Sequence, residues 1–342
     1  YVSKICDQFD DNYWLSHDKS GDFPHEFCSA LAKNGWLGIA MPEAQGGSGL
    51  GITEAALMMQ TIAESGAAMS GCSAVHMNIF GPNVIVVYGN KEQKQRMLPP
   101  LINGETRACF GVTEPDAGLD TTHLKTKAIP KNDHYLISGH KVWTSTAQVA
   151  DKILLIARTR PIEQCEKPSD GLSLFYTDLD RSAIEVREIE KMGRKAVDSN
   201  ELFINELRVP FEDRIGEEGK GFQYLLHGLN PERILIAAEA IGVGRVALTR
   251  ASQYAKDRRI FGRPIGQNQS IQHPLAQSWC ELEAANLMCF KAAALYDQGK
   301  PCGIEANAAK FLSARAGFDA CERSILTHGG YGYAKEFHVE RF

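Results

Sequence analysis

The period of the apolar residues changes twice along this chain, and that double change limits the available folds more than any other feature. Up to about residue 105, apolar side chains recur at three-to-four spacing in EFCSALAKNGWLG, TEAALMMQTIAESG and KEQKQRMLPPLING. Each stretch closes on or near glycine, as amphipathic helices do. Between about 106 and 217 the character becomes β-rich. HYLISGHKVWTS, DKILLIART, GLSLFYTDL, AIEVREIEK and ELFINELRVP are short runs parted by Gly, Asp, Asn and Pro. No helix of useful length lies between them, which argues against a parallel βαβ sheet. From about 218 the helical spacing returns and holds. Leu275, Trp279, Leu282, Asn286, Cys289, Ala293 and Tyr296 alternate four and three, a bundle seam with one polar member. A further helix from about Ile304 to Thr327 stops at Gly329-Gly330. The expected fold class is therefore multidomain α and β. An N-terminal helical domain (1–105) precedes a middle antiparallel β domain (106–217) and a C-terminal helical bundle (218–342), each long enough for its own core.

Composition excludes more than it identifies. The 342 residues carry a net charge of −5 with both signs scattered, which supports neither a nucleic-acid nor a membrane-surface role. No apolar run approaches the roughly 18–20 residues of a membrane span, and nothing at the N-terminus reads as a signal peptide. Nine cysteines are widely spaced with no CxxC pair, the pattern of small reduced thiols. The ten histidines include no HExxH and no convincing metal spacing, so no metal is expected.

Two glycine patterns resemble nucleotide loops. GGSGLG (46–51) precedes a helix that Thr53 caps, but no strand feeds it and no lysine follows, so it reads as a turn. Gly242-Val-Gly-Arg-Val-Ala247 matches GxGxx(G/A), and with RILIAA as a strand it would suggest an NAD enzyme. Asn-Pro-Glu-Arg reads instead as a helix start, and glycines there let two helices approach closely.

The stretch CFGVTEPDAGLDTTHLKTKA (109–128) is far more specific. It resembles the acyl-CoA dehydrogenase signature, V-T-E-P followed by a small residue, A-G-S-D and a later K-T-K-A. GHKVWTST (139–146), the RVP ending a strand (208–210), RRIFGRPIGQNQ (258–269) and THGGYGYAKE (327–336) follow in family order, covering nearly the whole chain. The resemblance implies FAD as cofactor. Phe110, Val112, Thr113 and Gly118 fall at its edge. Trp143 offers a flat apolar surface beside Thr144, and Ser145 matches the hydroxyl that meets flavin N5. It further implies that the loop from Arg258 to Phe261 reaches the FAD of a neighbouring subunit, with Gln269, Gly329 and Gly330 at other cofactor-loop positions. The assembly implied is a homodimer or a homotetramer. The chain departs from the pattern at Leu119, in place of serine, at Leu326, in place of a frequent glutamine, and at Thr146-Ala147.

The implied reaction is α,β-dehydrogenation of an acyl-CoA thioester, with an electron-transfer flavoprotein as acceptor. It needs a carboxylate base, and the family places one either on a loop that would lie beyond Phe342 or at a helix start before an arginine. In NPERILIAAEAIG (230–242), Asn230 suits an N-cap, Pro231 the first helical position, and Glu232-Arg233 the second arrangement. Burial in an acyl pocket would raise the Glu232 pKa, whereas a helix N-terminus would lower it. Asn230 and Arg233 fall where relatives contact substrate. An acyl-CoA oxidase, a flavin monooxygenase and a non-catalytic acyl-CoA-binding relative remain alternatives. The compartment expected is the mitochondrial matrix for a eukaryotic protein and the cytoplasm for a bacterial one.

Overall fold

The computed structural model describes residues 1–342. Seven helices come first: α1 (Val2–Cys6), α2 (Asp11–Ser20), α3 (His25–Lys33), α4 (Ile52–Ile62), α5 (Ala68–Phe80), α6 (Asn83–Tyr88) and α7 (Lys91–Ile102). A π-helical turn, Ala63–Ala67, joins α4 to α5, and Gly66 takes φ 98° there. The middle strands are β1 (Ala108–Gly111), β2 (Lys127–Pro130), β3 (His134–Ser145), β4 (Lys152–Arg158), β5 (Leu172–Asp178), β6 (Ile184–Glu188), β7 (Ser199–Pro210) and β8 (Arg214–Ile215). Last come α8 (Gly221–Asp257), the short hairpin β9 (Arg259–Ile260) and β10 (Arg263–Pro264), α9 (Gln269–Asp297) and α10 (Gly303–His328).

All five β-rich runs form strands, in one sheet of order β6-β7-β3-β2-β4-β5-β8 with β1 beside β4. Pairing is antiparallel except that β1 runs parallel to β4 and β2 meets β4 in parallel at Lys127 and Arg158. Along β4 the side chains alternate between two apolar layers. Ile153, Leu155 and Ala157 pack with Tyr135, Ile137 and Phe175, while Leu154 and Ile156 face Leu98, Leu101 and Tyr224 of the helices. Both faces are therefore covered at β4 and β5, whereas β6, β7 and β3 alternate buried with more exposed positions.

The helical zones do not keep separate cores. Trp14, Phe27, Leu31, Met59 and Ile62 join Ile234, Leu235, Ile241, Leu282 and Cys289 in one apolar cluster. The glycines singled out in the sequence make this contact possible. A Cβ on Gly242 would stand 2.5 Å from the Gln60 carbonyl of α4, and one on Gly317 of α10 would stand 2.6 Å from the Ala240 carbonyl. The GxGxxA segment is thus helix–helix packing in the middle of α8, with no strand before it.

Three local expectations need correction. α8 runs unbroken from Gly221, so Pro231 lies inside it and Asn230 is not an N-cap. At 37 residues the helix is about 55 Å long. Packing on both sides stabilises it through the one backbone bond that proline cannot make. Second, α4 is capped at Gly51, not Thr53, and the capping carboxylate comes from Asp297 at the end of α9. Its oxygens accept from Ile52 N–H at 2.7 Å, Thr53 N–H at 2.9 Å and the Thr53 hydroxyl at 2.6 Å. The N-terminus after GGSGLG therefore already holds an anion of the protein's own. Third, Trp279 is 59% exposed, whereas its seam neighbour Asn286 is bonded inward by Gln60 at 2.8 Å.

Candidate functional site

The loop after β1 is shaped by a buried ion pair. Lys141 of β3 has no solvent exposure, and its ammonium donates to the Val112 carbonyl and to Glu114 Oε1, both at 2.9 Å. Glu114 also accepts from the backbone N–H of Lys125 at 2.6 Å and from the N–H and hydroxyl of Thr126. Burial pulls Lys141 down to about 8 against the opposing Glu114 charge. Glu114 stays below its usual range because Lys141 and Thr126 outweigh its own desolvation. The Thr113 carbonyl is taken by Val142 N–H at 2.9 Å. With both carbonyls engaged, the loop offers a bound molecule its N–H groups and the Thr113 hydroxyl. Phe110, just before it, is half-buried between the core clusters, while Gly118 is exposed with nothing near its Cβ position.

Beside this loop β3 loses register with β7 between Lys141 and Thr144, a β-bulge. Trp143 takes φ 63° there and stands 60% exposed, a large ring held out of the sheet by strained backbone. Thr144 points inward, and its hydroxyl has no partner. The Ser145 oxygen accepts from Arg194 Nη2 at 3.1 Å. The same guanidinium donates to Ser199 at 3.2 Å and, through Nη1, to Ser73 of α5 at 3.1 Å.

One turn along α5 from Ser73, His76 reaches the second candidate centre. Its Nδ1 lies 3.0 Å from Oε1 of Glu239, which is fully buried in α8 and whose Oε2 has no partner. Glu239 follows Glu232 by seven residues, two turns along the same face of α8. Burial pushes the Glu232 carboxyl above its usual value. The charges of His76 and Arg233 pull it back, Glu239 adds to the rise, and Lys310 of α10 opposes it more weakly. The Asn230 oxygen accepts from Arg233 Nη1 at 3.1 Å, so the two expected substrate contacts bind each other across a turn of helix. Because Glu232 is in a helix interior, the N-terminal dipole expected to weaken it as a base does not act on it.

The remaining residues form a different region. Arg258, Gly329 and Gly330 line a cleft of about 580 Å3 with Tyr254, His328 and Tyr331. The Arg258 guanidinium lies over the Tyr331 ring at 5.6 Å and pairs with no carboxylate. Phe261 is fully exposed beyond the cleft, and Gln269 is exposed at the start of α9. The structure thus joins Val112, Thr113, Trp143 and Ser145 in one place and Arg258 with the glycines in another. Sequence reasoning missed Lys141, although it stands inside GHKVWTST, and Glu239, although it stands inside NPERILIAAEAIG. His76, Ser73 and Arg194 carried no local signal.

A helical, β, helical chain with an exposed ring on a bulge and a desolvated carboxylate on α8 suits a flavin-type oxidoreductase, and this chain belongs to the acyl-CoA dehydrogenase family. Models of the acyl-CoA dehydrogenase N-terminal, middle and C-terminal domains match residues 2–105, 109–207 and 219–342. It is 36% identical over 325 residues to an acyl-CoA dehydrogenase of Bacillus subtilis, covering 95% of this chain and 84% of that one. It is 35% identical over 328 residues to the caffeyl-CoA reductase–Etf complex subunit CarC of Acetobacterium woodii, at the same coverage. Among solved structures, glutaryl-coenzyme A dehydrogenase in complex with glutaryl-CoA superposes with a TM-score of 0.93 at 31% identity, over 99% of this chain and 86% of that one. The protein is an acyl-CoA dehydrogenase, an oxidoreductase whose cofactor is FAD.

Its residues fit that cofactor. The Trp143 ring stands clear of the sheet, and arginine can only donate, so the Ser145 hydroxyl hydrogen is left without a protein acceptor. At Gly329 and Gly330 no atom lies within 4 Å of a would-be Cβ, beside an arginine that no carboxylate neutralises. Leu119 sits fully exposed on the loop where the family carries serine.

Proposed function

We propose that the protein removes the α-proton of an acyl-CoA thioester with Glu232, yielding the trans-2-enoyl-CoA. FAD bound at the bulge supplies the acceptor for the β-hydride. The observation that carries this reading is the half-buried carboxylate of Glu232, raised by desolvation, on the face of α8 that meets α5. A carboxylate shielded from water is a stronger base than one in solution, which suits a weakly acidic carbon. The Val112 and Thr113 donors, the Trp143 ring and the Ser145 hydroxyl hold the cofactor, with Thr144 and Phe110 as their support. Gly118 leaves room for close approach. Asn230 and Arg233 flank the base and would meet the CoA-bearing part of the substrate.

Two features support a multimeric site. Arg258, Gly329 and Gly330 lie in a cleft that none of the flavin-edge residues lines, so a second copy would bring them to the cofactor, with Phe261 and Gln269 at the junction. α10 exposes Ile304, Phe311 and Phe318 at seven-residue intervals, and Leu326 continues the stripe. That pattern suits packing against another helix, giving a pair of dimers. The acceptor proposed is an electron-transfer flavoprotein, in line with the Etf complex named for the Acetobacterium woodii relative.

Anaerobic flavin bleaching by a panel of straight and branched acyl-CoAs tests the activity and ranks its substrates. Glu232→Gln should keep the yellow flavin spectrum and acyl-CoA binding while flavin reduction slows by roughly a hundredfold or more. Near-normal reduction would place the base elsewhere.

A further inference from the structure

Arg194 is a half-buried charge with no carboxylate partner. It lies in the loop between β6 and β7, next to Gly193, and both residues have left-handed backbone, φ 72° and 48°. Glycine adopts that region freely, whereas an arginine does so at a cost. The side chain is half-buried, and burial lowers its pKa, with the Glu239 and Asp198 charges acting against that fall. Yet it forms no salt bridge with any carboxylate. Its two terminal nitrogens are spent on three serine hydroxyls, Ser73 at 3.1 Å, Ser145 at 3.1 Å and Ser199 at 3.2 Å. A partly buried guanidinium bonded only by hydroxyls is a poor stabilising device, because hydroxyls return little of its lost hydration.

The geometry has a directional consequence. A guanidinium has no acceptor, so each serine oxygen must receive its proton, and one lone pair of Ser145 is committed to Arg194. The Ser145 hydrogen is then turned away from the guanidinium. No protein group accepts it, and Ser145 is half-exposed beside Trp143. Ser73 and Ser199 are buried, so Ser145 alone of the three can pass this polarisation to a bound molecule.

We propose that Arg194 is a positioning residue that fixes and polarises the Ser145 hydroxyl as a hydrogen-bond donor to the flavin, raising the cofactor's tendency to accept electrons. This rests on the reading of Ser145 as the hydroxyl that meets the flavin. A hydroxyl that already accepts from a cation is a stronger donor. A purely structural Arg194 would tie α5 to the sheet and change stability alone.

The test compares the FAD-loaded wild type with R194Q, R194K, S145A and the double variant R194Q/S145A. Each is equilibrated with a reference dye during slow anaerobic reduction, and its thermal midpoint is recorded alongside. R194Q is expected to lower the flavin–dye equilibrium constant about tenfold, ~30 mV for a two-electron couple. R194K, which keeps the charge but cannot serve three hydroxyls as a fork can, should lower it less. In the S145A background the R194Q effect should largely vanish. Unchanged equilibrium constants in both R194Q and R194K, with or without a fall in thermal midpoint, would overturn the proposal. So would a full R194Q effect that persists without Ser145, since the hydroxyl would then not be the route. If S145A itself leaves the flavin spectrum and equilibrium unchanged, it is the assignment of Ser145 to the flavin that fails.

Discussion

A lysine with no solvent exposure survives in the sheet because Glu114 and the Val112 carbonyl receive its protons. Removing it would strand the Glu114 charge among Thr126 and the backbone. Lys141→Met should therefore cost about 3–5 kcal/mol in denaturant unfolding, the range for breaking one side of a buried pair. The loop it shapes also carries Val112 and Thr113, so FAD retention should fall with it. For Glu232 the expected signature is a pH limb. The group must be ionised to take a proton, and its pKa is raised by burial, so flavin reduction should decline as pH falls through a value above the ordinary glutamate value of about 4.3. An acidic limb at or below that value in rapid-reaction traces would mean that the carboxylate is not desolvated when substrate is bound.

At the scale of elements, helix ends account for the largest revisions. Pro231 and Asn230 carry the local marks of a helix start, and alone they would make one. In the folded chain the preceding turns, from Gly221 onward, pack against the sheet and α6 and stay helical, so the marks fall mid-helix. The reverse holds for α4. Its N-cap, Gly51, has no side chain and gives only its N–H to Glu54 at 2.9 Å, and Asp297 supplies the acceptor for the next N–H groups from 245 residues away in sequence from Ile52. Asp297→Ala should cost about 1 kcal/mol, typical for loss of a cap, and should speed amide exchange in the first turn of α4. Unchanged exchange there would show that the turn is held by other contacts. Strands fared better, because the alternation of β7 and the short continuous apolar run of β4 are both written in adjacent residues.

For the whole molecule, the decisive feature is that the flavin-edge residues and the Arg258 cleft are separate in one chain. If both halves serve one cofactor, as proposed, cofactor binding and assembly should be linked. Phe311→Glu combined with Phe318→Glu places charges on the exposed stripe of α10 without touching either half-site. Light scattering should then report a smaller particle that still binds FAD, if the stripe joins dimers. Loss of FAD together with dissociation would instead put the stripe at the interface that completes the cofactor site.

The order of helical, β and helical zones and the strand segments were legible in the linear sequence. They depend on period, turn chemistry and short motifs, all of which act over a few neighbours. The chemistry around them was decided only by tertiary structure. His76 meets Glu239 across 163 positions, and Arg194 meets Ser73 across 121. The two helical zones also close around one shared core. Such contacts leave no local trace, because they arise when distant apolar faces bury together and bring polar groups into a medium where each must find a partner. Glu232 shows both halves. Its place before an arginine was readable in the chain, but its burial and its neighbours came from the fold.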